Sequence, residues 1–394
     1  MTRTPQPTRI RTRTRVVALL AGLAVVLLGV AVLVARGGSH GAAPLAVRFL
    51  PAGPGPRGPA DGIDWWSPVR GEPRGVAVDG PAVAVAALDE VRLLDVANGR
   101  ARWKAGLPGV RRYRPALGAD RVVATSETEL ALFDRADGAR VATVGFAGPG
   151  PAGVLADAGG SPVVVAGSET GAVLAVDATT GAALWSATYP GSVTVAPRGA
   201  DGTVVLSWHD DTGATVRAFD LRTGVRRWEV PAGVMAGPPT LGPGTVVFTA
   251  GDAVHGAQVR ARDLLTGQVR WITPLDGWWD DELEPAADPT TAYLLDGMGT
   301  VVALDLRTGT IDWRQETGRP LVSGRVALTP AGVVFASYDD ELLLLDRATG
   351  RVRAVEPQRG VPVDVATAGD RLVVALRLGA PSRVEARPEP GFDA

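Results

Sequence analysis

The stretch AFDLRTGVRRW (residues 218–228) contains the pattern that decides the fold. Asp220 is followed four residues later by Gly224, and Trp228 stands four residues after the glycine. An Asp side chain accepts hydrogen bonds from backbone N–H groups two residues on, and glycine adopts positive φ, so this pattern is typical of a turn between antiparallel strands. We expect the Trp to begin the strand after the turn and to pack against the next repeat.

The pattern occurs seven times, as Asp-x-x-Thr-Gly-x-x-x-Trp with some departures. Successive aspartates stand 39, 43, 43, 43, 42 and 41 residues apart. Such a period, with alternating apolar residues and no helical stripe, predicts a β-propeller in which each repeat forms one four-stranded blade. The repeat residues are Asp95, Gly99, Trp103, Asp134, Gly138, Asp177, Gly181, Trp185, Asp220, Gly224, Trp228, Asp263, Gly267, Trp271, Asp305, Gly309, Trp313, Asp346 and Gly350.

The two ends of the repeat region decide the number of blades. After the seventh copy the chain has three more predicted strands, at 363–367, 371–376 and 382–386, and lacks a fourth. Residues 64–68 precede the first repeat in the same way as the Arg-Trp pair at 102–103 precedes the second, and therefore occupy the place of a fourth strand. We therefore predict an all-β, eight-bladed propeller closed by an N-terminal outer strand, because a closed ring has no free sheet edge. The alternative is a seven-bladed propeller with a loose C-terminal tail.

Composition excludes several classes of protein. The 394 residues include 50 Gly and 31 Pro, which argues against a helical bundle and for many short strands joined by turns. The chain has no Cys, so disulfides, Cys-ligated metal centres, thiol catalysis and a lipidated Cys anchor are excluded. From residue 63 onward 32 basic residues face 41 acidic ones, and such a body lacks the clustered positive charge that nucleic acid requires.

The N-terminal region predicts a membrane anchor. Residues 16–35 carry no charge and suffice for a helix of about 30 Å, the thickness of the hydrocarbon layer. Five arginines within residues 1–15 predict that this N-terminal tail stays in the cytoplasm. Residues 16–35 are then a single-pass signal-anchor, and the rest of the chain is extracytoplasmic. Residues 36–62 predict a Gly/Pro-rich tether, 63–390 the propeller and 391–394 a tail. The alternative is signal cleavage and a secreted protein.

With these repeats the chain resembles the pyrroloquinoline-quinone-like β-propeller repeat family over about residues 63–390, and is most similar to its single-propeller branch, typified by the outer-membrane assembly lipoprotein BamB. The resemblance implies the fold and a tendency to act as a non-enzymatic binding scaffold. The quinoprotein alcohol dehydrogenases that it also resembles use adjacent cysteines, and the assembly lipoproteins a lipidated Cys, whereas this chain has none. No cofactor, catalytic residue or particular partner is therefore carried over.

A long predicted loop in the fifth repeat is the strongest candidate for partner binding. It places Trp278 and Trp279 beside Asp280, Asp281 and Glu282. Aromatic residues with acidic neighbours suit contact with a protein, a peptide or a glycan. The alternative is that one of the two Trp fills the space between neighbouring blades.

The predicted turns between the second and third strands of the repeats are rich in acids, whereas the side with the Asp-x-x-x-Gly turns is rich in Arg. This predicts a polarised disc whose acidic face recruits a basic partner, unless the turns simply favour Asp and Glu. The first set comprises Asp89, Glu90, Glu127, Glu129, Glu169, His209, Asp210, Asp211, Asp252, His255, Asp296, Asp339, Asp340 and Glu341, and the second Arg100, Arg140, Arg222, Arg226, Arg307, Arg347 and Arg351.

Within the first set, His209, His255, Asp210, Asp211 and Asp252 are weak candidates for divalent metal ligands, although loop histidines are more often solvated. We predict no catalytic residue and no cofactor, since no nucleophile motif such as G-x-S-x-G occurs. The sequence thus predicts a membrane-anchored scaffold, not an enzyme, that binds an envelope protein or a cell-wall ligand. The alternatives are a quinone- or metal-dependent oxidoreductase and an extracytoplasmic ligand sensor.

Overall fold

The computed structural model describes residues 63–110, 113–145, 149–156, 161–193, 196–252, 256–276, 284–320, 326–330, 332–378 and 381–388. The chain divides into two compact units, Met1–Leu45 and Ala46–Ala394, and every described residue belongs to the second. The predicted tail 1–15, membrane helix 16–35 and tether 36–62 lie outside the described residues. No helix long and apolar enough to cross a membrane occurs in the part of the chain that the structure describes.

Regular structure in the described residues is entirely β, as the repeat pattern predicts. The strands are β1 (Trp65–Val69), β2 (Pro73–Asp79), β3 (Ala82–Ala87), β4 (Glu90–Asp95), β5 (Ala101–Gly106), β6 (Ala116–Leu117), β7 (Arg121–Thr125), β8 (Glu129–Asp134), β9 (Arg140–Gly145), β10 (Pro149–Ala156), β11 (Pro162–Ser168), β12 (Ala172–Asp177), β13 (Ala183–Thr188), β14 (Arg198–Ala200), β15 (Thr203–Asp210), β16 (Gly213–Asp220), β17 (Arg226–Gly233), β18 (Met235–Ala236), β19 (Thr240–Gly242), β20 (Thr245–Asp252), β21 (Gly256–Asp263), β22 (Val269–Pro274), β23 (Ala286–Ala287), β24 (Thr291–Leu295), β25 (Thr300–Asp305), β26 (Ile311–Glu316), β27 (Ala327–Leu328), β28 (Gly332–Ser337), β29 (Glu341–Asp346), β30 (Val352–Pro357), β31 (Val361–Ala368), β32 (Arg371–Arg377) and β33 (Ser382–Pro388).

Consecutive strands pair antiparallel into sheets. Five of the six four-stranded sheets among the described residues consist of consecutive strands, namely β2–β5, β6–β9, β10–β13, β23–β26 and β27–β30. Two further antiparallel sets, β14–β17 and β18–β22, are joined by one parallel pair, Gly233 with Gly251, into a sheet of nine strands. The first strands of successive sheets contact one another, for example β2 with β6 and β10 with β14, so these strands lie nearest the axis.

Strand β1 joins the two ends of the sheet series. It pairs antiparallel with β33, with Trp65 opposite Ala386, and the last sheet has the order β1-β33-β32-β31. The first strand of this sheet, β31, also contacts β2. The predicted N-terminal outer strand is thus confirmed, and the three predicted C-terminal strands lie within β31, β32 and β33.

The Asp-x-x-x-Gly turns join the third and fourth strands of their sheets. In the fourth copy, Asp220 Oδ1 accepts hydrogen bonds from the N–H groups of Arg222 (3.2 Å) and Thr223 (2.9 Å) and from the Thr223 hydroxyl (2.8 Å). Gly224 has φ +69°, and the second Asp220 oxygen accepts from Arg227 at 2.9 Å. Burial alone would raise the pKa of Asp220, but these bonds outweigh it and lower the pKa to about 2.

A side chain from the preceding repeat covers each of these turns. Trp228 donates from Nε1 to the Leu264 carbonyl at 2.9 Å, and its ring lies where a Cβ on Gly267 would come within 2.6 Å. Gly267 also has φ +70°, so both space and backbone conformation require glycine there. The same contact joins Trp65 to Gly99, Trp103 to Gly138, Trp185 to Gly224, Trp271 to Gly309 and Trp313 to Gly350, whereas Ala142 takes the place of the Trp over Gly181.

The hydrophobic core lies between neighbouring sheets. In one cluster, Leu93 and Trp103 of the first complete sheet pack against Val122 and Phe133 of the next, with the Trp103 and Phe133 ring centroids 6.0 Å apart. Because both faces of a sheet are covered, a strand such as β3 is buried along its whole length. Packing between neighbouring sheets fixes the positions of their first strands around the axis, and these strands place the site described below.

Candidate functional site

The two ends of the strands form two faces of the molecule. Since the strands of a sheet alternate in direction, the Asp-x-x-x-Gly turns lie together on one face, here called the turn face. The described connections between sheets, such as 70–72 and 358–360, lie on the other face with the turns between second and third strands. We call this second face the connection face.

Four charged side chains meet near the axis at the connection face, and we call them the axial cluster: Arg114, Arg198, Glu284 and Asp364. Glu284 Oε2 accepts hydrogen bonds from Arg114 Nη1 at 3.1 Å and from Arg198 Nη2 at 2.8 Å. The second terminal nitrogen of Arg114 lies 2.7 Å from Asp364 Oδ1. The four residues lie in, or two residues before, the first strands of four different sheets, so these ion pairs connect parts of the fold that are far apart in the chain.

The first strands of the sheets place the axial cluster. Arg114 and Glu284 each stand two residues before a first strand, β6 and β23 respectively. Arg198 is the first residue of β14, and Asp364 lies in the first half of β31. Each of these strands begins at the connection face, next to the axis. The cluster therefore lies at the entrance to the central channel.

Arg114 is held in place from two sides. Asp364, whose side chain is 1% exposed, pairs with it and also accepts the Val76 N–H of β2 at 2.9 Å. A Cβ on Gly75 would lie only 2.5 Å from Arg114 Cγ, so the side chain of Arg114 rests directly on the backbone of β2. Its side chain is thus held by contacts other than its bond to Glu284.

The axial cluster combines two positive and two negative charges in partly dehydrated surroundings. The side chains of Arg114, Glu284 and Arg198 are 15%, 17% and 23% exposed. Hydrogen bonds between guanidinium and carboxylate groups are about twice as strong as those between neutral groups, and partial removal of water strengthens them further. What this arrangement can do chemically is hold a carboxylate between two arginines.

Several acids predicted on the connection face pair with arginines. Glu129 Oε1 accepts from Arg140 at 2.9 Å, and Glu341 pairs with Arg319. Arg140 was placed on the turn face by the sequence pattern, yet its guanidinium reaches Glu129. In the same way Glu90 pairs with Arg92.

Other acids of this face accept hydrogen bonds from groups within the fold. Asp296 accepts the N–H groups of Met298 (3.0 Å) and Thr300 (2.7 Å), and Glu169 accepts the Tyr113 hydroxyl at 2.9 Å. Much of the predicted negative charge is therefore used inside the fold, as expected if turns simply favour Asp and Glu.

The predicted metal ligands are only partly described. His209 Nε2 lies 2.9 Å from the Ala236 carbonyl, which connects two strand sets. The Thr212 hydroxyl and N–H bond to Asp210 and lower the pKa of that carboxyl. His255 and the Asp252 side chain lie outside the described residues, and within those residues no group of three or more His, Cys, Asp or Glu is arranged to hold a metal ion.

The predicted partner-binding residues Trp278, Trp279, Asp280, Asp281 and Glu282 lie outside the described residues. The structure does describe both ends of their segment, at Asp276 and at Glu284. The second of these ends belongs to the axial cluster. The chain therefore continues from the predicted partner loop into the axial cluster.

The axial cluster was not among the predicted site residues, although the sequence contains a signal for it. Arg114, Glu284 and Asp364 each stand seven residues before the first residue of the second strand of their sheet, which is β7, β24 or β32. A charged residue at this shared position is placed at the channel entrance by the blade geometry. The repeat pattern alone does not show that these positions meet.

Comparison of the sequence with family models gives one family. The model described as "Outer membrane protein assembly factor BamB" matches residues 126–297 and 297–375, which together are well over half of the chain. A comparison with curated proteins gives no match.

Solved structures share the fold at low sequence identity. BamB from Moraxella catarrhalis is 17% identical with a TM-score of 0.66, over 82% of this chain and 98% of that one. The computationally designed protein Ika8 is 16% identical (TM-score 0.65; 82% and 98%), and Sqt1 from Saccharomyces cerevisiae is 10% identical (TM-score 0.63; 83% and 98%). Together with the closed series of antiparallel sheets and the family match, these likenesses lead to one conclusion: the chain is a pyrroloquinoline-quinone-like β-propeller and belongs to the family of the outer membrane protein assembly factor BamB.

Proposed function

We propose that the protein is a non-enzymatic scaffold that binds an envelope protein or a cell-wall ligand on the outer side of the cytoplasmic membrane. The family match supports a binding scaffold, because the family is described as an assembly factor.

We further propose that the propeller has eight blades. The nine-stranded sheet is held together between its two strand sets by a single parallel pair, which supports counting β14–β17 and β18–β22 as separate blades. Trp228 of the first set covers Gly267 of the second in the way that Trp185 covers Gly224 across the preceding junction. The last blade consists of β31, β32, β33 and the N-terminal β1.

For its location we propose a single-pass anchor at residues 16–35, with residues 1–15 in the cytoplasm and the propeller outside. The uncharged run and its preceding arginines support this orientation. In spheroplasts an added protease should then digest the propeller, and the protein should stay with the membrane in an alkaline wash. Recovery of the protein from the culture medium would support the secreted alternative instead.

We propose that the partner binds on the connection face at Trp278, Trp279, Asp280, Asp281 and Glu282. One observation carries this proposal: all seven repeat glycines are covered by residues of the preceding repeat, six of them by Trp and one by Ala142. These inter-blade contacts therefore do not require either Trp of the loop.

An exposed apolar side chain in the sheet that follows this loop in the chain adds support. The loop leads into the sheet β23–β26, and the turn between the second and third strands of that sheet carries Met298, which is 80% exposed. Aromatic and Met side chains on one face are typical of protein contacts.

The test is cross-linking of the full-length protein in living cells, followed by mass spectrometry. The wild type is compared with a Trp278→Ala/Trp279→Ala variant. A Val225→Ala/Leu265→Ala variant serves as matched control, since these side chains are exposed and apolar but belong to the turn face. We expect one envelope protein to be captured by the wild type and the control and lost from the Trp variant.

Two results would contradict the proposed site. Capture of the same protein by all three forms would place the contact elsewhere on the molecule. Loss of capture in the control alone would place it on the turn face. If the wild type captures no protein, binding of purified cell-wall fragments to the same three forms tests the second kind of ligand.

A further inference from the structure

We propose that a cleft where the two ends of the propeller meet binds an acidic peptide segment of another protein, one that carries apolar side chains next to its carboxylates. The cleft lies on the connection face, between the connection 70–72 and the turn that joins β32 to β33. The proposal goes beyond the scaffold function, because it concerns neither the axial cluster nor the loop residues Trp278 and Trp279.

The cleft has the size of a ligand site. Its volume is about 620 Å³, within the range of about 300–1,000 Å³ that is typical of such sites, and it is open to solvent. Residues 69–72, near the N-terminal end of the propeller, form one wall. Residues of the β32–β33 turn, near its C-terminal end, form the other, and an ion pair of Arg377 with Glu72 at 2.9 Å connects the two walls. The cleft is therefore a product of ring closure.

Part of the lining is apolar. Leu378 and Pro381 belong to one wall, and Pro381 is exposed. On the other wall Gly71 has no side chain, and a Cβ placed on it would lie 3.2 Å from Cβ of Leu88, which is 40% exposed. An apolar ligand group that covers such surface is favoured by the removal of that surface from water. A purely ionic ligand such as phosphate would leave it uncovered.

The charged groups around the cleft require an anion. The Glu72 carboxylate accepts hydrogen bonds from Arg377 Nη1 at 2.9 Å and from Arg74 Nη1 at 3.0 Å, so two arginines share one acid. Arg70 adds a third positive charge to the lining. Three positive charges against one negative charge leave an excess of two, which favours a ligand with more than one carboxylate.

Arg70 is the arginine that is most clearly available to a ligand. Its backbone N–H donates to Glu90 Oε1 at 3.3 Å, and Glu90 pairs with Arg92. The Arg70 side chain is exposed, and its guanidinium forms no hydrogen bond or ion pair with any residue that the structure describes. All of its donors can therefore be directed at a carboxylate of the ligand.

The combination of charge and apolar surface favours a peptide segment. Acidic side chains of such a segment complement the arginines and fix its register, while its apolar side chains cover Leu378, Pro381 and Leu88. Because the segment contacts both walls, it also stabilises the closed ring, as any ligand that binds only the folded state does.

The experiment measures binding of the peptide acetyl-Leu-Glu-Leu-Glu-Leu-amide to the purified full-length protein by titration calorimetry at low salt. We expect Arg70→Ala, which removes one exposed attraction, to weaken binding by about 2–5-fold. Arg70→Glu replaces this attraction by a repulsion and should weaken binding by about 10-fold. Both variants should be as stable as the wild type, because the guanidinium has no partner among the described residues.

Arg351→Glu is the matched control. Arg351 is exposed and adjoins the turn glycine Gly350 on the turn face, and its replacement changes the net charge by the same amount as Arg70→Glu. We expect wild-type affinity in this control. Equal weakening in Arg351→Glu, undiminished binding to Arg70→Glu, or no binding to the wild type would each overturn the proposal.

Two further peptides test the composition of the ligand. In acetyl-Ser-Glu-Ser-Glu-Ser-amide the apolar groups are missing, and in acetyl-Leu-Gln-Leu-Gln-Leu-amide the charges are missing. We expect each to bind at least about 5-fold more weakly than the acidic Leu peptide, since each satisfies one part of the lining. Equal binding of either peptide would overturn the proposed chemistry.

The same measurements distinguish this site from the proposed partner loop. The Trp278→Ala/Trp279→Ala variant should bind the acidic Leu peptide as the wild type does, even if it captures no partner in cells. Weaker binding in this variant would place the peptide on the loop and overturn the proposal. The peptide should also raise the thermal midpoint of the wild type and not that of Arg70→Glu at the same concentration.

Discussion

Replacing Trp228 by Ala should destabilise the propeller by about 4 kcal/mol. Trp228 is only 8% exposed, and a Trp that is buried to this degree hides about 150–250 Å² of surface, worth about 4–6 kcal/mol at about 25 cal/mol/Å². The Ala side chain retains a small part of this stabilisation, so the expected loss falls within the roughly 3–5 kcal/mol measured for Trp truncations in protein cores. The Leu264 carbonyl also loses its donor, at a cost of about 1 kcal/mol.

The assay is thermal unfolding of the purified protein, followed by circular dichroism. At roughly 2–4 °C for each kcal/mol in a domain of this size, the midpoint should fall by on the order of 10 °C. Trp228→Phe keeps most of the ring but loses the hydrogen bond, so its loss should be about 1 kcal/mol. Val225→Ala, at a position that is 65% exposed, is the surface control and should change stability by less than about 0.5 kcal/mol.

The reasoning would be refuted by a Trp228→Ala protein as stable as the control. It would also be refuted if the Phe variant lost as much stability as the Ala variant. The second result would show that the hydrogen bond to Leu264, and not the contact of the ring with the Gly267 turn, holds the two sheets together.

Three other predictions concern the same turns and one buried acid. Gly267→Ala should lower the thermal midpoint by at least as much as Trp228→Phe, because the new Cβ meets the Trp228 ring in a backbone conformation with φ +70°. The hydrogen bond from the Arg270 side chain, together with those from Thr266, lowers the pKa of Asp263 to about 2. The contribution of the Asp263 carboxylate to stability is therefore complete above about pH 4 and is lost as the pH falls toward 2. In acid titrations followed by circular dichroism, Asp263→Asn should lose this part of the pH dependence, and an unchanged profile would contradict the prediction. Burial raises the pKa of Glu385, against the opposing effect of its neighbouring arginines, so the charged form is disfavoured in the folded state. Glu385→Gln should therefore be at least as stable as the wild type at pH 7, with a difference that shrinks as the pH falls toward about 4, and a clearly lower midpoint at pH 7 would contradict it.

The fold was predictable because its determinants are local and repeated. The hydrogen bonds of Asp220 to Thr223 and the positive φ of Gly224 lie within five residues, and the pattern recurs seven times. The closing strand β1 was also predictable, since a set of three C-terminal strands without a fourth requires a partner elsewhere in the chain.

The axial cluster was not predicted, because it depends on distances across the channel. Arg114 and Glu284 are 170 residues apart, and no local pattern states that their two sheets approach each other. The acids of the connection face illustrate the opposite case. Their enrichment is plain in the sequence, but whether Glu129 or Glu341 presents its charge to a partner depends on arginines such as Arg319, whose position only the fold reveals.

The pairing of β1 with β33 has a consequence for how the protein is made. Trp65 is among the first propeller residues to leave the ribosome and Ala386 among the last, yet they face each other in one sheet. Until synthesis is complete, the nascent propeller is an open series of sheets with unpaired edges, and the closing contact has a very long loop to form. Such intermediates are prone to aggregation, so the growing chain needs protection over its whole length. For the same reason a truncation that removes β33 would release β1 as well and leave the ring open at both ends.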